Sequence, residues 1–212
     1  MTEYESSTFG KINLNQPEEY FSSSIYIDNK EVETDLNFLH LAEVDKDSLV
    51  VVDNYLSKID EYEKQIRELI HEDFAKNKQG FTREYIKIHL ECLSEEYLEG
   101  LSKNSIDTVS MEDQLVRQIR LYRIGFYPEK ADKVFAVFDY RINEEESDEL
   151  LVVVLNKDLS YRITIESWKN GVEQSAAARP EIWSQITYRP KHEIWYSEGK
   201  RQQNGPATRA SR

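Results

Sequence analysis

The sequence predicts an α+β fold, in which an antiparallel sheet of six to seven strands carries a helical pair that is inserted after the first three strands and packs on one face. Residues 8–39 alternate apolar and polar side chains, as half-buried strands do. Residues 45–101 repeat apolar side chains every three to four positions, which indicates amphipathic helices. Residues 118–166 hold further strand-like runs. Because a helical apolar stripe needs an apolar partner, the helices are expected to cover one sheet face.

The opening of the chain predicts a short meander after a frayed end at residues 1–7. Three strands are expected, at residues 8–14, 20–27 and 31–39. Asp28 and Asn29 separate the last two runs, and Asn tolerates the positive φ that tight hairpin turns require. These two runs therefore predict a hairpin.

Two long helices are expected in the middle of the chain. The first begins near Asp45 and ends where Asn77 to Gly80 interrupt the apolar repeat. The second begins at Thr82 and continues through Leu101, and residues 111–118 could add a short third helix.

Four strands are expected to follow the helices. They are placed at residues 118–127, 134–142, 150–155 and 161–166. The middle two are almost continuously apolar, which is typical of strands with both faces buried. The helices are expected to cover one of these faces and another part of the chain the other.

The character of the sequence changes after the last predicted strand. We expect one α+β domain over residues 1–167, an aromatic-rich extension over residues 168–198 that docks on the domain, and a disordered tail or vector remnant over residues 199–212. Residues 179–212 carry seven Lys or Arg against three Glu, whereas the whole chain of 212 residues has a net charge of −13. The negative charge therefore belongs to the domain.

Composition narrows the possible partners. A strongly negative protein repels nucleic acid and anionic membrane surfaces and attracts basic partners, although charge also serves solubility. No apolar run approaches the roughly 20 residues needed to span a bilayer, so a cytoplasmic location is expected. The single cysteine, Cys92, excludes an internal disulfide and is expected to be buried on a helix.

Motifs for catalysis are sparse in this sequence. No phosphate-binding glycine loop or nucleophile elbow occurs, and no histidine pair has zinc-protease spacing. No metal and no cofactor are therefore expected. Asp139 is the best candidate for an acid held in an apolar pocket, where its pKa would rise. An ion pair with Arg141, two residues on along the same strand face, is the favoured alternative.

An acidic run lies in the turn between two of the predicted strands, at Glu144, Glu145, Glu146, Ser147, Asp148 and Glu149. Like charges repel one another, so such a run is expected in solvent. It is either a solvated turn or a contact surface for a basic partner. A second acidic patch is expected on the first helix, at Glu61, Glu68 and Glu72.

Several phrases carry a family resemblance over most of residues 8–167. They are F-G-K-I-N-L at 9–14, D-L-N-F at 35–38, H-E-D-F at 71–74, E-Y-I-K-I-H-L-E at 84–91, R-I-G-F-Y-P at 123–128, V-F-D-Y-R-I at 137–142, D-E-L-L-V-V at 148–153 and I-T-I-E-S at 163–167. In these phrases the chain resembles the bacterial family catalogued as domain of unknown function number two thousand and four. The resemblance implies no catalytic motif. Small acidic α+β proteins of this type are similar to immunity proteins, by analogy only.

The sequence therefore favours a non-catalytic interaction protein. The expected function is that of an acidic bacterial immunity protein, which binds a basic, nuclease-like toxin and blocks its active or substrate-binding surface. The residues expected to bind the partner are Glu144, Glu145, Glu146, Asp148, Glu149, Glu61, Glu68 and Glu72. The alternative is a small-ligand-binding protein or enzyme with a pocket around Asp139, between the helices and the sheet.

Overall fold

The computed structural model describes residues 2–38, 43–103, 109–128, 134–143, 145–158 and 160–167. Within these ranges the chain forms eight strands and five helices. The strands are β1 (Glu3–Ser6), β2 (Gly10–Asn13), β3 (Tyr20–Ile27), β4 (Lys30–Asn37), β5 (Arg120–Phe126), β6 (Val134–Arg141), β7 (Glu149–Asn156) and β8 (Tyr161–Ser167). The helices are α1 (Lys46–Leu56), α2 (Ile59–Lys76), α3 (Phe81–Cys92), α4 (Glu95–Lys103) and α5 (Met111–Gln118).

The main sheet has six strands in the order β3-β4-β5-β6-β7-β8, and β1 pairs with β2 in a separate small sheet. This confirms the α+β class. The expectation of a purely antiparallel sheet was wrong at one junction, because β4 and β5 are parallel. All five helices lie between these two strands, and a parallel pair needs a long crossover of this kind to return the chain in the same direction.

The start of the chain differs from the expectation of a frayed end. Residues predicted to fray form β1, so the helices follow four strands and not three. The Tyr4 hydroxyl donates to Asp53 Oδ2 at 2.7 Å, and the Ser6 hydroxyl donates to Asp53 Oδ1 at 2.8 Å. Burial, followed by the hydrogen bond to Asp53, raises the pKa of Tyr4 to about 12. These bonds fasten β1 to α1.

The hairpin between β3 and β4 is confirmed. Asp28 and Asn29 have φ values of 49° and 61°, so both central turn residues are left-handed. Two such residues make the turn type whose twist matches that of the flanking strands. The register is regular from Tyr20 opposite Asn37 to Ile27 opposite Lys30.

Each of the two long predicted helices is divided. The first breaks into α1 and α2 at Ser57 and Lys58, where the Ser57 hydroxyl donates to the Asn54 carbonyl at 2.8 Å. The second breaks into α3 and α4 at Leu93 and Ser94, because Leu93 takes an extended conformation. The short third helix, α5, is confirmed, and Ser110 caps it by accepting from the Asp113 backbone N–H at 3.1 Å.

The main sheet buries both faces of β6 and β7, as expected. On the helix face, side chains such as Phe138, Tyr140 and Leu151 join the helical stripes in the main core. On the opposite face, which we call the second face, Val137, Leu150, Val152 and Val154 form a separate buried cluster with Val134. The second face thus has an apolar half on β6 and β7.

No described helix is long and apolar enough to cross a membrane. The predicted extension over residues 168–198 and the tail over residues 199–212 lie outside the described residues.

Candidate functional site

Three charged side chains meet on the second face, one from each of the three neighbouring strands β4, β5 and β6. Arg123 Nε lies 2.6 Å from Asp35 Oδ2, and Arg123 Nη2 donates to Asp35 Oδ1 at 2.9 Å. Arg123 Nη1 donates to Asp139 Oδ2 at 2.8 Å. The two carboxylates are 0% exposed and Arg123 is 6% exposed, so this charged triad is part of the interior.

The register of the sheet explains the triad. Arg123 stands directly opposite Asp139, and Asp35 stands opposite Gly125. A Cβ at Gly125 would lie 3.0 Å from Arg123 Nη2 and 3.2 Å from Asp35 Oδ1, so a larger residue would require the ion pair to shift by a few tenths of an ångström. The Asn37 amide also donates to Asp35 Oδ1.

Burial and charge oppose each other at Asp35 and at Arg123. Burial raises the pKa of Asp35, and the charge and hydrogen bonds of Arg123 only partly oppose the rise. Burial alone would lower the pKa of Arg123, but the charges of Asp139 and Asp35 outweigh it and raise that pKa. The arrangement holds the guanidinium charged between two acids, which favours a structural clamp across three strands.

The predicted partner of Asp139 was wrong. Asp139 does form an ion pair, but with Arg123 on the neighbouring strand and not with Arg141. The guanidinium of Arg141 instead lies over the Tyr122 ring, 4.1 Å from its centroid. A directly opposite residue on a neighbouring strand is closer than the next residue on the same strand face.

The sequence predicted a pocket around Asp139, between the helices and the sheet. Asp139 instead lies on the second face of the sheet, away from the helices. A cleft of about 260 Å³ does lie between helix and sheet, but α2, the start of β5 and the β3–β4 hairpin form it. Arg67 and Arg120 donate to the same Ile119 carbonyl, at 2.9 and 3.0 Å, and Arg67 also pairs with Glu63. The cleft thus brings two neighbouring guanidinium groups to its wall.

The acidic turn between β6 and β7 is anchored by one of its own carboxylates. Glu146 Oε2 accepts from the Ser94 backbone N–H at 2.7 Å, and Glu146 Oε1 accepts from the Ser94 hydroxyl at 3.0 Å. The Ser94 Oγ in turn accepts from the Tyr97 backbone N–H at 3.2 Å, as a helix cap does. Glu146 therefore supplies, from 52 residues away, the carboxylate that a capping box normally takes from the third residue of the helix.

This contact joins the turn to further carboxylates at the start of α4. Glu95 and Glu96 directly follow Ser94, and both are exposed, as are Glu145 and Glu146. We call these four residues the acidic ridge. No salt bridge among the described residues joins any of the four to a cation. Sequence reasoning missed Glu95 and Glu96, although S-E-E after a helix break is a recognisable start of a new helix.

The other residues predicted to bind a partner have varied positions. Glu144 lies outside the described residues, and Asp148 and Glu149 are half-buried beside the ridge. On α2, Glu61 and Glu68 are exposed, whereas Glu72 pairs with Lys76 at 2.8 Å. No hydrogen bond or ion pair within the described ranges links this second acidic patch to the turn. Their role in binding stays a prediction.

His89 is a buried histidine on α3 with a defined hydrogen bond. It is fully buried, and its Nδ1 lies 2.8 Å from the Tyr85 carbonyl, to which it donates. Burial lowers the pKa of His89, so the ring is held neutral. In the described part of the chain, no group of three or more His, Cys, Asp or Glu is placed to hold a metal ion. Cys92, predicted to be buried, is exposed at the end of α3.

Neither a protein-family model, nor a curated protein, nor a solved structure matches this chain. The resemblance to domain of unknown function number two thousand and four therefore stays a prediction.

Proposed function

We propose that this chain is a non-catalytic interaction protein that binds a basic protein partner through the acidic ridge. In its most specific form it is a bacterial immunity protein, which neutralises a nuclease-like toxin by covering the basic surface where that toxin holds its substrate. The observation that supports the proposal is the fixing of Glu146 on Ser94, which brings the carboxylates of the β6–β7 turn and of α4 onto one corner of the molecule.

Electrostatics gives this corner its expected role. Exposed carboxylates with no cation paired to them raise the encounter rate with a positive partner and fix its orientation. The first turn of a helix tolerates such charge, because acidic side chains there interact favourably with the helix dipole. The ridge is thus held in place by secondary structure and does not depend on a bound cation to stay together.

A second candidate function rests on the cleft beside α2. Arg67 and Arg120 share one carbonyl there, and Lys30 also lines the cleft. Burial, and then the charge of Arg67, lowers the pKa of Arg120. Two neighbouring guanidinium groups favour a small anionic ligand with a carboxylate or phosphate group, whereas Asp28 and Glu63, which line the same cleft, oppose it. Under this function, Arg120→Gln would abolish binding of inorganic phosphate measured by calorimetry.

The proposed function is tested in two steps. The native chain first captures a basic protein from the source cells, and binding of that protein is then measured by surface plasmon resonance at low and physiological salt. Glu95, Glu96 and Glu145 are changed together to Lys. The matched control changes Glu3, Glu5 and Glu31, three exposed carboxylates elsewhere, so that the net charge shifts equally.

We expect the ridge variant to bind about tenfold more weakly or worse, a loss of ~1.4 kcal/mol. The control variant should lose much less, and only in its association rate. Equal losses in the two variants would show that overall charge, and not the ridge, attracts the partner. Unchanged binding by the ridge variant would remove the ridge from the interface.

A further inference from the structure

The apolar half of the second face is buried, and no apolar side chain of a described helix belongs to its cluster. Leu150, Val152 and Val154 are 0% exposed, and Val137 is 1% exposed. The buried cluster that contains them draws only on β6 and β7, with Tyr127 packed at its edge, whereas the helices all contribute to the cluster on the other face. Side chains on one face of one sheet cannot bury each other fully, so a further layer must lie on them.

We propose that the aromatic segment of this chain over residues 168–198 is that layer and docks on the second face. Of the stretches outside the described ranges, the one after Ser167 is the only one longer than five residues. This proposal does not depend on the proposed function.

The exit of the chain from the sheet also favours this occupant. Ser167 is the last residue of β8, an edge strand, and it stands opposite Glu149. Glu166 stands opposite Leu150, so the chain leaves the sheet at a corner of the apolar cluster. A short turn there suffices to bring the following residues over the face.

The composition of the segment matches an apolar surface. All three tryptophans of the chain lie in it, at residues 168, 183 and 195, together with the aromatic and aliphatic side chains Ile182, Ile186, Tyr188, Ile194 and Tyr196. Tryptophan and tyrosine bury large apolar areas and keep a polar atom for the edge of the contact. The segment therefore supplies large aromatic side chains that could cover a face of Val and Leu.

The location of the tryptophans provides a direct assay in the full chain. Thr164 is half-buried on the second face, directly opposite Val152. A bimane label is placed on Thr164→Cys in a Cys92→Ser background, because tryptophan quenches bimane on contact. The control is the same label on native Cys92, which is exposed at the end of α3 on the helix side.

We expect severalfold lower fluorescence from the label at residue 164 than from the label at residue 92. Changing Trp183 and Trp195 to Phe should restore it. Equal fluorescence at the two sites overturns the proposal. Quenching that disappears on dilution also overturns it, because a second copy of the chain would then be the occupant.

A second measurement, which needs no label, still tests the proposal if a labelled variant fails to fold. The tryptophan emission of the unmodified chain comes from this segment alone. Docking predicts emission at a shorter wavelength than in denaturant, with a shift back towards the denatured value in Val152→Lys while far-UV circular dichroism is kept. Native emission equal to that of the denatured chain would contradict docking.

Discussion

Replacing Arg123 with methionine removes a cation that Asp35 and Asp139 both contact, while it keeps most of the side-chain length. Three contacts are lost together, at 2.6, 2.9 and 2.8 Å. The guanidinium side chain is only 7% exposed and the two acids are 0% exposed. Solvent screens buried charges only weakly, so the effect of the change should be large.

The magnitude follows from the burial of the pair. Removing one partner of a buried ion pair costs about 3–5 kcal/mol, because the remaining charge stays in the interior. Here one guanidinium serves two carboxylates, so we expect the upper part of that range, about 4–5 kcal/mol. A domain of this kind is stable by roughly 5–15 kcal/mol, so the variant loses a large fraction of its stability.

Urea unfolding followed by far-UV circular dichroism measures the loss, at pH 7 and pH 5. Burial already raises the pKa of Asp35, and without the opposing charge of Arg123 it should rise further. An acid with a raised folded-state pKa stabilises most at low pH and loses that contribution as pH rises. The deficit of the variant relative to the native chain should therefore shrink from pH 7 to pH 5.

The matched control is Arg117→Met, which removes an exposed guanidinium from α5 and should change stability by less than about 0.5 kcal/mol. A deficit below about 1 kcal/mol for Arg123→Met would refute the reasoning that the triad is a buried clamp. So would a deficit that grows on acidification.

Three further changes test other parts of the structure by the same unfolding assay. Glu146→Gln should cost about 0.5–1 kcal/mol, because α4 loses its charged cap, and an equal cost from Glu145→Gln would deny this role. Gly80→Ala should cost about 1 kcal/mol, since its Cβ would lie 2.5 Å from the Asp73 carboxylate that caps α3; no loss would show that Asp73 moves aside freely. Burial lowers the pKa of His89 below its ordinary 6.5, so the native chain should lose stability as pH falls below that value, and His89→Gln should lose less; parallel pH profiles would place this titration elsewhere.

Most of the strands could be predicted from the sequence, whereas little of the charged triad could. Residues 134–142 and 150–155 are apolar enough to predict β6 and β7 directly, and the Asp28-Asn29 turn is specified locally. The parallel junction of β4 and β5 depends on residues more than 80 positions apart, which periodicity does not report. The partner of Asp139 depended on the same information, because Arg123 becomes its neighbour only once the register is known.

The acidic ridge shows the same division between local and distant causes. The start of α4 at Ser94, followed by Glu95 and Glu96, has a local signal that the prediction of one continuous helix overlooked. The position of Glu146 on that helix was not, since it requires the β6–β7 turn to fold back over 52 residues. The sequence shows directly which residues carry charge, but only the tertiary structure shows which of them share a surface.

The parallel junction of the main sheet also has a consequence for the order of assembly. The hairpin β3–β4 and the meander β5–β8 each join neighbours in the chain, and such short loops close at little entropic cost. Joining β4 to β5 requires closing the whole stretch between Asn37 and Arg120. The two halves of the sheet are therefore expected to form early and separately, and the seam between them is expected to close last, once the helical layer has condensed.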